Sequence, residues 1–123
     1  MLNPIGWFEI YVHDMARARA FYEAVFGATL SRLDGSPELE MWAFTMDQAT
    51  YGASGALVKM PGFEPGGNSV LVYFHCTDCA VEAQKVVQAG GKLMRPKVSI
   101  GQYGHIALAF DTEGNMIGLH SLA

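Results

Sequence analysis

Charge is scarce in this sequence, and positive charge is scarcest: 8 Lys and Arg stand against 12 Asp and Glu in 123 residues. A net charge of −4 with no basic stripe lacks the footprint of a nucleic-acid or anionic-membrane partner. Cysteine is nearly absent as well. Its two copies form "CTDC", Cys76 and Cys79. A redox pair needs a thiol activated at a helix N-terminus, whereas Cys76 falls on the apolar side of a strand, ahead of the candidate helix cap Asp78. A metal site built on the pair needs two more ligands, which do not cluster nearby. Two small buried or half-buried residues in a reducing compartment is the simpler reading. No uncharged apolar run reaches the roughly 18 residues of a membrane span. The opening "MLNPIGWFEI" has no positive region, apolar core or cleavage pattern. No membrane partner and a cytoplasmic location are the expectations.

What is present is an apolar half, 50% of the residues, enough for a core in one domain over residues 1–123. An offset of 64 residues lays Asp14 on Asp78 and Gly27 on Gly91. Each Asp follows a strand pattern and is placed to cap a helix; each Gly is placed to close it. The first copy reads as a strand to His13, a helix over Met15–Phe26 and a strand near Ala28–Leu33. The second, from "SVLVYFHCTD" on, has the same order, and two further strand patterns follow each copy. "MPGFEPGGNS" is dense in Gly and Pro and reads as a connection. The spacing therefore predicts βαβββ twice: module one over about 1–60, a linker over about 61–68 and module two over about 69–123. "GFEPGG" has the glycines of a phosphate loop without its Lys or its following helix.

Two such modules, with "IYVHDMARARAFYEAVFG" in the first and "FDTEGNMIGLHS" at the end, resemble the vicinal oxygen chelate superfamily of glyoxalase I, bleomycin resistance proteins and extradiol dioxygenases. The likeness covers nearly the whole chain and is strongest to the glyoxalase-related branch. It implies an α+β fold in which the strands curl into an incomplete β-barrel around a ligand cavity, with the helices outside. It also implies a homodimer.

Strand alternation points side chains to opposite faces. In the first strand Phe8, Ile10 and Val12 form the apolar face, leaving Trp7, Glu9, Tyr11 and His13 on the other. In the strand after the linker Val70, Val72, Phe74 and Cys76 stand against Leu71, Tyr73 and His75. In the last strand Ile117 and Leu119 stand against Met116, Gly118 and His120. Three strands thus send polar and aromatic groups the same way, the pattern of a small-molecule site. Glu9, His75 and His120 are the candidate catalytic groups, and Trp7, Tyr11, Tyr73, Trp42 and Met116 the candidate ligand contacts. Burial is expected to raise the Glu9 pKa towards that of a useful base.

Metal-dependent relatives draw His and Glu ligands from four inward strand positions, which the resemblance places at Trp7, Ala56, Leu71 and Gly118. None of these side chains binds a metal, so no resident cofactor is expected. A displaced divalent site at Glu9, His75 and His120 is the alternative. Two functions follow. One is a metal-independent protein that captures a planar or aromatic small molecule. The other is a lyase or isomerase akin to lactoylglutathione lyase, with Glu9 as base and His75 or His120 as acid.

Overall fold

The computed structural model describes residues 2–34 and 37–123. Its first module runs β1 (Phe8–Tyr11), α1 (Met15–Phe26), β2 (Ser31–Leu33), β3 (Glu40–Ala43) and β4 (Gly55–Lys59). Its second runs β5 (Val72–His75), α2 (Cys79–Gln88), β6 (Lys92–Ser99), β7 (His105–Phe110) and β8 (Met116–Ser121). The predicted βαβββ order is present twice. Each module is one four-stranded sheet, ordered β1-β4-β3-β2 and β5-β8-β7-β6, with β1 parallel to β4 and β5 parallel to β8. Among the described residues no helix is long and apolar enough to cross a membrane.

Local chemistry sets the helix bounds. The Asp14 carboxylate accepts the Arg17 backbone N–H at 3.0 Å, and the Asp78 carboxylate accepts that of Ala80 at 3.0 Å, so both are N-caps. Gly27 closes α1 in the left-handed region, at φ 63°. The second closure departs from the repeat. Ala89 caps α2, and Gly90, at φ 96°, takes the left-handed turn. Gly91, expected to close that helix, instead lets the chain pass close to Phe21, Val86 and the Phe110 carbonyl, where a Cβ would overlap.

Both helices lie over the same side of their sheets and share one core. Ala18, Tyr22 and Val25 of α1 are fully buried, with Val86 of α2 and Leu119 of β8 in the same cluster. Phe74 joins the halves. Its ring lies 6.1 Å from Phe8, 5.8 Å from Tyr22, 4.3 Å from Phe26 and 6.0 Å from Phe44, all residues of module one. β1 and β5, each the last strand of its sheet, meet through this aromatic group rather than through a ladder of hydrogen bonds.

The turn between β7 and β8 completes the join. Asp111 accepts the Tyr22 hydroxyl at 2.7 Å and the backbone N–H groups of Glu113 and Asn115 at 2.8 Å each. Asn115 donates to the Tyr11 carbonyl at 2.9 Å. Glu113, buried in the turn, accepts the N–H groups of His13 and Asp14, both at 2.9 Å, and the Arg17 guanidinium at 2.7 Å and 3.0 Å. Burial pushes the Glu113 carboxyl up, but Arg17, these two N–H groups and the Thr112 hydroxyl outweigh it and hold the pKa at about 2.

Glu113→Ala therefore strands two backbone donors, and should lower the stability measured by urea unfolding by about 2 to 3 kcal/mol with an unchanged m-value. Because the folded carboxyl titrates near 2 and the ordinary one near 4.5, the Glu113 contribution is whole above pH about 4.5 and vanishes as pH falls to about 2. The gap between wild type and variant should close across that window. A gap independent of pH would show that the carboxylate charge contributes nothing.

Candidate functional site

The face of each sheet turned away from its helix carries the polar and aromatic side chains that alternation assigned to it. On β1 the centre of this face is Glu9, which lies exposed rather than buried. Its two oxygens are held by its own strand: Trp7 Nε1–H donates to Oε2 at 3.2 Å and the Tyr11 hydroxyl donates to Oε1 at 2.8 Å. Residues two apart on a strand share a face, which is why this sequence produces the clamp. The hydrogen bond to Glu9, partial burial and the Glu9 charge together raise the Tyr11 phenol pKa above its ordinary value.

Beside Glu9 a groove of about 260 Å³ opens between β1, the starts of β5 and β8, and the linker. Tyr11 and Met116 line it with Glu9; Val70 and Val72 supply apolar wall. The linker is fixed rather than loose. Phe63 stacks on Tyr11 with centroids 5.0 Å apart, Glu64 lies 3.1 Å from His13, and Gly66 N–H donates to Asn115 at 2.6 Å. Asn68 donates to the carbonyls of Val70 and Met116 and accepts the Met116 N–H, which pins the linker to β8. Glu64, Asn68 and Asn115 also line the groove, and sequence reasoning passed over all three. The residues themselves carried no signal, because each acts through a partner distant in the chain.

The remaining candidates lie elsewhere. His75 and His120 are register partners on the parallel pair β5 and β8, hence neighbours on one face. They are apart from the Glu9 groove, whose lining includes neither. The His75 ring lies 5.6 Å from that of Tyr51. His120 Nε2 is 2.7 Å from the Tyr103 carbonyl, and because a carbonyl only accepts, Nε2 carries the proton and donates. Trp42 is a correction. It faces α1, beneath the Arg19 guanidinium at 3.5 Å, with its indole N–H on Glu40, and packs against the core. Cys76 and Cys79 are free thiols, and burial with the nearby Glu82 and Cys79 pushes the Cys76 thiol up to about 12.

The donor set does not fit a metal ion. Trp7, Leu71 and Ala56 offer no ligand atom, and the fourth position, Gly118, lies under the half-exposed Tyr73 ring, where even a Cβ would overlap it. In the displaced set, His120 Nε2 donates to a carbonyl, and neither His75 nor His120 lines the groove that Glu9 faces. Among the described residues no three His, Cys, Asp or Glu side chains gather in a metal-binding group.

The family model of the Glyoxalase/Bleomycin resistance protein/Dioxygenase superfamily matches residues 4–119. Mycobacterial proteins named "Putative glyoxylase CFP32", from Mycobacterium bovis and Mycobacterium tuberculosis, are 27% identical over 116 residues. That match takes in 93% of this chain but 44% of the relatives, so the chain spans less than half the length of the curated relatives it matches. Glyoxalase I from Zea mays superposes with a TM-score of 0.77 at 22% identity, covering 97% of this chain and 46% of the maize chain. TnmS3, an antibiotic binding protein from Streptomyces sp. CB03234, gives 0.69 at 22% identity over 99% and 98% of the two chains.

The Tyr73 ring over Gly118 should make those positions interdependent. Gly118→Ala should cost about 1 to 3 kcal/mol in urea unfolding, and most of that should be recovered when Tyr73→Ala is added. Additive losses in the double variant would show that the ring does not rest on the strand.

Proposed function

Because the chain belongs to the glyoxalase/bleomycin resistance protein/dioxygenase superfamily, we propose that it is a small-molecule-binding member that works without a metal at the superfamily's usual ligand positions. The observation that carries this reading is the Glu9 carboxylate, oriented by Trp7 and Tyr11 at the mouth of a groove with apolar walls. Preset polar atoms beside apolar surface are what capture of a small ligand requires, since orienting the acceptor in advance lowers the entropy cost of binding. Chelation of substrate oxygens draws no support from the donor set at Trp7, Ala56, Leu71 and Gly118. Proton transfer by Glu9 with His75 or His120 draws none from their separation, nor from the exposure of Glu9. The fold accommodates both binding and catalysis, so the site, not the architecture, decides between them.

The test fills the groove. Val70 is 71% exposed and lines it, so Val70→Trp should block the space without disturbing the core. A fragment screen by amide NMR should give ligands whose shifts centre on Tyr11, Gly66 and Asn115, and the variant should weaken them at least tenfold with its melting temperature little changed. Ligands that instead gather around Tyr51, or that bind only with added zinc or nickel, would end this reading.

A further inference from the structure

We infer that the Glu9 groove selects an organic cation: an ammonium or amidinium group carried on an apolar body. This rests on the binding function proposed above and adds the ligand's charge class. The lining holds two carboxylates, Glu9 and Glu64, and no Lys, Arg or His. Glu64 has the His13 imidazole at 3.1 Å, whereas Glu9 has two neutral donors and, among the described residues, no cationic partner. Each Glu9 oxygen takes one hydrogen bond from the protein, which leaves further acceptor sites towards the groove.

An anionic ligand would meet two carboxylates with no compensating cation. A neutral ligand could donate to Glu9 only without an opposing charge, which makes the weaker hydrogen bond. An N–H-bearing cation gains a charge-assisted hydrogen bond at Glu9 and the face of an electron-rich ring at Tyr11, which Phe63 holds in place from behind. Val70, Val72 and Met116 then receive the apolar body, a role for which a bare metal ion has no use. The net charge of −4 draws cations towards the chain as a whole.

Three probes of one shape separate the possibilities: 2-naphthylmethylammonium, 2-naphthylmethanol and 2-naphthoate, each titrated into the full chain while the amides of Gly66, Asn68 and Asn115 are followed by NMR. The ammonium should bind at least tenfold tighter than the alcohol, lose that advantage in Glu9→Gln, and weaken as sodium chloride is raised. The alcohol should bind wild type and variant alike. An alcohol that matches the ammonium, or a carboxylate that exceeds it, would overturn the cation assignment while leaving the groove a binding site. Three probes that all fail to move those amides would overturn the groove itself.

Discussion

Among the described residues, everything that crosses between the two modules in hydrogen-bonded form passes through one five-residue turn. Among the described residues, every side-chain hydrogen bond that links residues 2–59 to residues 70–123 has Asp111, Glu113 or Asn115 as a partner. Asp111, Glu113 and Asn115 are buried, so their polar groups had to find partners inside the protein, and the partners available were the start of α1, the Tyr22 hydroxyl and the end of β1. Its interactions are charge-assisted and local, while those of Phe74 are apolar and spread over four rings; together they fix both the closeness and the register of the halves.

The groove is a by-product of this arrangement. β1 and β5 are both final strands of their sheets, and they approach through side chains instead of pairing. An incomplete seam leaves space, and the linker crosses it. Asn115 belongs to both features. It holds the Tyr11 carbonyl with its amide nitrogen and the Gly66 N–H with its amide oxygen, so one side chain positions the Glu9 strand and the linker wall. Stability and site geometry therefore meet at one residue.

How much of this could be read from the sequence varied with how strongly each signal contrasted with its alternatives. Alternation was legible on β1 and β8, where Ile10, Val12, Ile117 and Leu119 are buried, and weaker on β5, where Val72 and Phe74 are half-buried and Val70 is exposed. Trp42 was a candidate by residue type, not by alternation: Ala43 and Met41 pack with Val58 on one side of β3, while Trp42 packs towards α1 on the other. The Trp42 face also carries Glu40, so polarity on β3 does not mark the side turned away from the helix. The repeat placed the second helix closure at Gly91, one residue beyond Gly90, which makes the left-handed turn. The groove walls were illegible for another reason. Phe63, Glu64 and Asn68 act through contacts with residues distant in the chain, and within a Gly/Pro-rich stretch nothing local reports that.

The duplication is not reciprocal. Asp47, 64 residues before Asp111, makes the same local turn by accepting the Ala49 N–H at 3.0 Å, but its second oxygen takes the nearby Thr50 hydroxyl and does not reach the other module. At that end of the seam the cross-module neighbours are rings, Tyr51 beside His75, with no side-chain hydrogen bond between the halves among the described residues. One end of the seam is hydrogen-bonded and the other meets only through rings, so its two ends are held by different forces. Local opening should therefore cost less free energy around Tyr51 than beside the turn at Asp111 and Asn115.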